Sequence, residues 1–175
     1  METYCIFCKN GSEQKIINQI NKNYTGLTAL APVRIVNEKT GNKWTQKEKH
    51  LLPGYIFIYS EISNDIKFLL KSNDIYKVLQ YENGVRTLQG QDMEYAMWIY
   101  NNHGRIIPSH VFEDGDKIRV VDGPLAEFNG QIIRIEKRKR RALVEFDFDG
   151  HKRSVSLSVE FITKDSLNSE NMEQK

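Results

Sequence analysis

Three dipeptides that favour tight turns divide the C-terminal third of the chain into short, β-branched segments. These are Asp122-Gly123, Asn129-Gly130 and Asp149-Gly150. An Asx-Gly pair tolerates the positive φ that a short turn between antiparallel strands requires. Strands are therefore predicted at 116–121, 130–136, 142–148, 153–157 and 159–162. Some 50 residues of this kind indicate a small β-barrel.

The first part of the chain instead mixes helix and strand patterns. The predicted strands are 3–9, 27–36, 55–59 and 75–81, and the predicted helices are 13–24, 63–71 and 92–101. Ser12 is the expected N-cap of the first helix, and the last helix is expected to bury the stripe Met93, Ala96, Met97 and Tyr100. The polar segment 37–42 is predicted to connect two strands of a hairpin. This mixed order favours an α+β layer over a regular βαβ array.

The composition fits a soluble globular protein of one or two modest domains, with 175 residues, 39% hydrophobic and 27% charged. The longest apolar run, 51–59, contains Pro53 and Gly54, whereas a membrane-spanning helix needs about 20 apolar residues. No secretory leader is visible at the N-terminus, so we expect a cytoplasmic protein without a membrane partner.

The Pro-containing segment 105–111 is the best candidate for a linker. It separates a predicted N-terminal domain, residues 1–104, from a predicted β-barrel domain, residues 112–163. The remaining residues, 164–175, hold only Leu167 and Met172 as large apolar side chains, and we expect them to be a disordered tail.

One segment concentrates positive charge although the whole chain carries a net charge of only +2. Around a predicted hairpin turn, six basic residues face one acid, Glu136; the six are Arg134, Lys137, Arg138, Lys139, Arg140 and Arg141. Like charges across a hairpin destabilise it unless the side chains splay into solvent or meet an anion. We expect His151, Lys152 and Arg153 to lie nearby on the same surface, and the nine residues together suit a phosphate backbone. A solvated hairpin tip is the other interpretation.

No catalytic or metal-binding pattern is visible. The two cysteines, Cys5 and Cys8, fall in a predicted strand, where residues three apart point to opposite faces of the sheet. The four histidines are scattered, and no hydrolase, nucleotide-binding or zinc motif occurs. We therefore expect no enzyme activity, metal or cofactor, and a thiol-dependent enzyme remains the alternative.

The strand 55–59 is apolar on both faces, with Tyr55, Phe57 and Tyr59 on one side. Such a strand is typical of the centre of a sheet. If helices cover only one side of that sheet, the aromatic face is exposed and marks a partner surface that suits a helix.

Two motifs together resemble the NusG family of transcription elongation factors, and the resemblance extends over nearly the whole chain. The first is LLPGYIFI at 51–58, similar to the N-terminal (NGN) domain of the family. The second is GDKIRVVDGPLAEFNG at 115–130, similar to its KOW domain.

The resemblance implies an α+β protein, with an NGN domain of antiparallel sheet flanked by helices and an SH3-like β-barrel KOW domain. It implies a non-catalytic, monomeric elongation or antitermination factor that docks on the clamp helices of the largest RNA polymerase subunit. The residues carried over to that contact are Tyr4, Leu51, Leu52, Pro53, Tyr55 and Phe57.

Two departures from the housekeeping pattern indicate a specialised paralogue. Asp149 stands where housekeeping members place an aromatic residue that holds termination factor Rho or ribosomal protein S10, and loss of an aromatic anchor removes an apolar contact. The basic segment is also unusually rich in Lys and Arg, similar to LoaP antiterminators, which recognise an RNA hairpin in the nascent leader. A general NusG factor that couples polymerase to S10 or Rho remains the alternative.

Two further questions stay open in the sequence. A second basic group comprises Lys43, Lys47, Lys49 and His50. These residues either contact non-template DNA in the transcription bubble or only keep the protein surface soluble. Fold switching of the RfaH kind is not expected, because the alternating pairs Ile118/Val120 and Ile133/Ile135 favour β structure.

Overall fold

The computed structural model describes residues 1–61 and 66–163, which fall into two compact units. Unit 1 comprises Met1–Val33, His50–Arg105 and Asp147–His151, and unit 2 comprises Arg34–Lys49, Ile106–Phe146 and the chain from Lys152 onward. The predicted domain limits at 1–104 and 112–163 stay a prediction. The predicted tail, 164–175, and the start of the predicted helix 63–71 lie outside the described residues. Within the described ranges, no helix is long and apolar enough to span a membrane.

The secondary structure is mixed α+β, as predicted. In chain order the elements are β1 (Glu2–Cys8), α1 (Glu13–Asn23), β2 (Leu27–Leu30), β3 (Val33–Thr40), β4 (Lys43–His50), β5 (Tyr55–Ser60), β6 (Ile75–Val78), α2 (Gly90–Asn101), β7 (Arg105–Ile106), β8 (Ser109–Asp114), β9 (Lys117–Asp122), β10 (Gln131–Glu136), β11 (Arg141–Phe148) and β12 (His151–Ile162). Short 3-10 helices occupy Ile66–Lys71, Pro124–Ala126 and Lys137–Lys139. The strands form three sheets, ordered β2-β5-β1-β6, β4-β3-β7 and β10-β11-β12-β8-β9.

The central pair of unit 1, β1 and β5, is antiparallel and sets two distinct faces. Tyr4 lies opposite Ile58 and Cys5 opposite Phe57, and side chains opposite one another share a face. The Tyr4 face packs in one apolar cluster with Ile16 and Ile20 of α1.

Helix α2 contacts the other face of this sheet. The Tyr59 hydroxyl donates a 2.6 Å hydrogen bond to the Ala96 carbonyl oxygen, and the rings of Phe57 and Tyr95 lie 6.0 Å apart. Helices therefore pack on both faces of the sheet, as the resemblance implies for a sheet flanked by helices.

Both helices begin near their predicted positions, but two details differ. Ser12 occupies the N-cap position of α1 without a capping hydrogen bond from its side chain. In α2 the buried residues are Tyr95, Ala96, Trp98 and Ile99. Of the predicted stripe only Ala96 is buried, because this helix carries apolar residues around most of its circumference.

The strands of the middle segment extend beyond their predicted limits. β3 runs through Thr40, so only Gly41 and Asn42 form the turn to β4, and the predicted connection at 37–42 is too long. The segment predicted as a linker contains β7 and the start of β8. Long-range pairing explains these differences, since β7 joins β3 and β8 joins β9 and β12.

The GPLAEFNG motif of unit 2 forms a tight corner between β9 and β10. Gly123 has φ +83°, and a Cβ there would lie 2.8 Å from the Ser109 Cα. The Ser109 hydroxyl in turn accepts a 2.9 Å hydrogen bond from the Leu125 backbone nitrogen. At Gly130 a Cβ would fall 2.2 Å from the Phe128 ring, so that ring can lie directly over the backbone only at glycine. The motif is therefore explained by close packing.

Candidate functional site

The basic segment, residues 134–141, forms the turn between β10 and β11. β10 ends at Glu136, a 3-10 turn holds Lys137–Lys139, and Arg140 adopts the left-handed conformation with φ +52° before β11 begins. The left-handed conformation of Arg140 reverses the chain direction and lets β11 pair back onto β10. The basic residues thus lie at a hairpin turn between β10 and β11, where the sequence predicted a turn.

Two carboxylates form ion pairs with three of these basic side chains. Glu136 receives Arg134 Nε at 2.9 Å and Lys139 Nζ at 2.7 Å, and these hydrogen bonds, that of Lys139 first, hold the pKa of the Glu136 carboxyl below its usual value. Lys137 pairs with Glu113. All three cationic side chains remain more than half exposed. Exposed ion pairs are weak, so these cations stay available to a stronger anion.

The two arginines at the end of the segment contact the β3–β4 hairpin within unit 2. Arg141 Nη2 donates a 2.7 Å hydrogen bond to the Asn37 carbonyl oxygen. The Arg140 guanidinium carbon lies 4.6 Å from the centroid of the Trp44 ring. Trp44 is the residue that sequence reasoning missed. The signal available was a large aromatic residue within an otherwise polar strand.

A cleft of about 360 Å³ lies beside this contact. Its lining residues come from the β3–β4 hairpin and from the basic segment, and they are Asn37, Glu38, Lys39, Thr40, Trp44, Arg138, Lys139 and Arg141. Four of these side chains are cationic and one, Glu38, is anionic. The structure thus adds residues of β3 and β4 to the predicted basic surface.

The basic residues predicted in the next hairpin, Lys152 and Arg153, do not lie beside the basic segment. Within unit 2, Lys152 Nζ lies 3.8 Å from the Glu145 carboxylate, and Ser154 donates a hydrogen bond to the same group. Glu145 is four residues beyond Arg141 along β11, which at about 3.3 Å per residue separates them by about 13 Å. The expectation that Lys152 and Arg153 lie beside the basic segment is therefore wrong, because the hairpins open at opposite ends of β11. His151 belongs to unit 1.

The aromatic face of β5 is largely covered within unit 1. The ring of Phe148 lies 5.3 Å from that of Phe57, 5.8 Å from that of Tyr55 and 5.5 Å from that of Tyr95. Phe57 has no exposed surface and Tyr55 is half-buried. The condition for an exposed aromatic face is therefore not met, and core packing describes Phe57 in this structure.

Polar contacts fix the segment 147–151 in unit 1. The Asp149 backbone nitrogen donates a 3.0 Å hydrogen bond to Asp92 Oδ1, and the Asp149 carboxylate lies 3.8 Å from Lys77 Nζ. Asp92 Oδ2 accepts a 2.8 Å hydrogen bond from the Tyr81 hydroxyl. The backbone hydrogen bond to Asp92 and the attraction to Lys77 therefore hold Asp149 in place.

The remaining residues predicted to contact polymerase are dispersed. Tyr4 is buried on the sheet face opposite Phe57, so the two do not line one pocket. Leu51 and Leu52 are buried, and Pro53 is exposed. Only Tyr55 and Phe57 of the predicted group share a sheet face.

The cysteine pair is placed as the strand pattern predicted, with both thiols free and buried. Cys5 lies on the Phe57 face and Cys8 packs in the cluster with α1. Among the residues described, no group of three or more His, Cys, Asp and Glu side chains is arranged to hold a metal ion.

Comparisons with known proteins agree on one family. A family model described as transcription termination factor NusG matches residues 1–97. The transcription termination/antitermination protein NusG of Buchnera aphidicola subsp. Acyrthosiphon pisum is 28% identical over 140 residues, or 77% of this chain and 76% of the relative. The protein of that name from Neisseria meningitidis serogroup B is 24% identical over 170 residues, or 94% and 95% of the two chains.

A solved structure also matches. It concerns domain interaction in Thermotoga maritima NusG, and it superposes with a TM-score of 0.50 at 20% identity, covering 90% of this chain and 93% of the other. At that identity the similarity shows a shared fold.

Proposed function

Because this chain belongs to the NusG family of transcription factors, we propose that it binds RNA polymerase through unit 1 and a structured nascent RNA through the basic segment. In this proposal it acts as an elongation or antitermination factor. The RNA selects the transcripts on which it acts, as in LoaP-like paralogues.

Support for RNA binding comes from the density of exposed cations at the β10–β11 turn. Arg134, Lys137 and Lys139 each keep more than half of their side-chain surface in solvent, although they pair with Glu136, which is half-buried, and with Glu113, which is exposed. A phosphate can replace such a carboxylate at little cost. If about five phosphates are contacted, affinity falls about 500-fold between 50 and 200 mM salt.

The RNA experiment uses the whole chain, because β8 begins at Ser109 and a fragment starting at residue 112 would cut through this strand of the five-stranded sheet. A stem–loop RNA is titrated against the wild type and against the double variant Arg138→Glu, Lys139→Glu. Losing two phosphate contacts should weaken binding and reduce the log–log salt slope by about 1.8.

A double variant in unit 1, Lys22→Glu with Lys71→Glu, matches the change in net charge. Both lysines are exposed and lie outside the basic segment. The control should bind RNA nearly as well as the wild type. Equal losses in the two double variants would show that only net charge matters, and RNA binding by the basic segment would then be rejected.

Support for polymerase binding comes from the family membership and from the aromatic cluster of Tyr55, Phe57 and Tyr95. This cluster supplies the apolar rings that a partner helix can pack against. The segment 147–151 now covers it, so engagement of a partner here requires that segment to leave.

The polymerase experiment measures binding of the Tyr55→Ala variant to purified RNA polymerase. Tyr55 is half-buried, so its truncation disturbs the fold less than truncation of Phe57. Tyr24→Ala, at an exposed ring beside Phe68, serves as the control. A loss confined to Tyr55→Ala supports the proposal, whereas equal affinities in both variants contradict it.

The relatives named transcription termination/antitermination protein NusG support a second candidate, a general NusG factor, for which the family resemblance implies binding to S10 or Rho. Asp149 is the discriminating residue, because a carboxylate held near Lys77 offers no apolar anchor. Binding of S10 or Rho to the wild-type chain would favour the general factor. Binding that appears only after Asp149→Phe would favour the specialised one.

Non-template DNA is a further candidate partner, because β4 carries exposed lysines. Lys47 and Lys49 both pair with Glu38, and every residue of β4 is exposed. Charge reversal at Lys43 should weaken crosslinking to bubble DNA only if this strand contacts it.

A further inference from the structure

Trp44 is an exposed tryptophan held beside the basic segment. Its side chain projects from β4, it is 37% exposed, and the Arg140 guanidinium stacks over its ring at 4.6 Å. Both residues belong to unit 2. A stacked arginine restricts the orientation of the indole and leaves an aromatic surface facing the neighbouring cleft.

The charges around this cleft suit a phosphate. Lys39, Arg138, Lys139 and Arg141 give four positive charges against the single negative charge of Glu38. Glu38 already has two cationic partners outside the basic segment. Hydrogen bonds from Lys49 and then Lys47 lower the pKa of its carboxyl to about 2. Glu38 is thus already compensated. Lys139 pairs with Glu136 but stays 73% exposed, so a phosphate can compete for this cation.

The size of the cleft fits a single nucleotide. Its volume of about 360 Å³ lies at the lower end of the range of about 300–1,000 Å³ typical of ligand sites. Bases inside a duplex keep their faces stacked on one another, so only an unpaired base can offer its face to Trp44. An aromatic platform next to Lys and Arg side chains is the usual arrangement for binding unpaired nucleotides.

We propose that the cleft between Trp44 and the basic segment binds one unpaired nucleotide of the structured RNA, with its base on Trp44 and its phosphate on Arg138 and Lys139. This inference rests on the proposed RNA binding and deepens it. The basic segment supplies affinity for any folded RNA, whereas Trp44 distinguishes RNAs that carry an exposed base.

The experiment compares two RNA probes with the full chain. One is a stem–loop with an unpaired purine loop, and the other is the same stem as a blunt duplex. Trp44→Ala should weaken binding of the stem–loop about tenfold, which is within the range measured for loss of one base stack, and leave the duplex unchanged. Trp44→Phe keeps an aromatic face and should retain most of the affinity.

Tryptophan fluorescence gives a second readout. Trp98 is only 5% exposed, so quenching by the stem–loop should come from Trp44 and should vanish in Trp44→Phe. Thermal unfolding of Trp44→Ala shows whether the variant folds. If it does not, the wild type decides the question, because the stem–loop should quench its fluorescence and the blunt duplex should not.

The outcomes separate the two levels of the proposal. If neither probe binds the wild type at low salt, RNA binding itself fails. If both probes bind and Trp44→Ala weakens them equally, or weakens neither, the nucleotide site is rejected while RNA binding stands. Fluorescence that is not quenched by a bound stem–loop also rejects the site.

Discussion

The Glu13 carboxylate bridges the start of α1 to the turn before β5, where its Oε1 accepts a 2.9 Å hydrogen bond from the Gly54 backbone nitrogen. Its Oε2 accepts a second, from the Gly11 nitrogen at 2.6 Å. This buried side chain ties the turn before α1 to the turn before β5. The PGY motif and the helix start are therefore one connected feature.

Replacing Glu13 with Gln should lower stability at neutral pH by about 1–3 kcal/mol, because a buried charged acceptor of two backbone N–H groups is lost. Burial alone raises the pKa of Glu13, but hydrogen bonds from the backbone of Glu13, Gly54 and Gly11 outweigh it, and the folded-state pKa lies below 4.5. The wild type therefore holds this stability above about pH 4.5 and loses it as the pH falls through the folded-state pKa. Urea titrations at pH 7 and pH 3 should show a deficit for Glu13→Gln that narrows in acid. An equal deficit at both values would argue against the ionised bridge.

Gly54→Ala should destabilise the chain by about 2–5 kcal/mol, because it combines a left-handed backbone with overpacking. Gly54 has φ +81°, and an added Cβ would lie 2.7 Å from Asn10 Oδ1 and 2.9 Å from the Phe7 ring. Gly26→Ala is a matched control, since Gly26 has φ +84° and no atom within 4 Å of the added Cβ. The control should cost only the backbone part, about 1–2 kcal/mol. Equal chemical-denaturation midpoints for the two variants would contradict the packing argument.

Neither cysteine should react with thiol reagents in the folded protein. Burial, followed by the charges of Asp149 and Asp92, raises the pKa of the Cys5 thiol, and burial with the Glu13 carboxylate raises that of Cys8 to about 11. At pH 8 only about a thousandth of the Cys8 thiols are ionised, and the thiolate is the reactive form. Labelling with a disulfide reagent should be slow in buffer and rapid in urea. Fast stoichiometric labelling of the folded chain would reopen the thiol-enzyme alternative.

Asp92→Ala should strengthen binding to RNA polymerase about threefold to tenfold, if the aromatic cluster is the docking surface. The substitution removes the acceptor for the Asp149 backbone nitrogen and weakens the cover over Phe57 by about one hydrogen bond. Tyr81→Phe removes the other hydrogen bond of Asp92, together with the one that the Tyr81 hydroxyl accepts from the Gln89 backbone nitrogen, and should leave the affinity unchanged. Affinities of both variants are measured by surface-based binding to purified polymerase. Weaker binding by Asp92→Ala would contradict a covering role for residues 147–151.

The elements with clear periodicity were predictable from the sequence, and those that depend on distant partners were not. α1 and β5 have regular apolar spacing, and both lie where they were predicted. β3 extends through polar residues because the Asn37 nitrogen bonds the Ser158 hydroxyl and Arg141 bonds the Asn37 carbonyl oxygen. Contacts between residues so far apart in the chain leave no local pattern.

The candidate site was likewise predictable only where it depends on neighbouring residues in the chain. The basic segment is contiguous, so its turn and exposure were predictable. Trp44 joins it only through the fold, since its partner Arg140 lies in another part of the chain. The error over Lys152 has a topological cause, because two successive hairpins of a meander open at opposite ends of their shared strand.

The position of β12 within its sheet has a consequence for synthesis of the protein. β12 lies in the middle, between β11 and β8, and pairs with β8 in parallel with Val159 opposite Ser109. Until the ribosome has released it, the emerging chain can form only two separate hairpins, β8–β9 and β10–β11. An isolated hairpin is marginally stable at best in water. The sheet that carries the basic segment therefore assembles only after its last strand has left the exit tunnel.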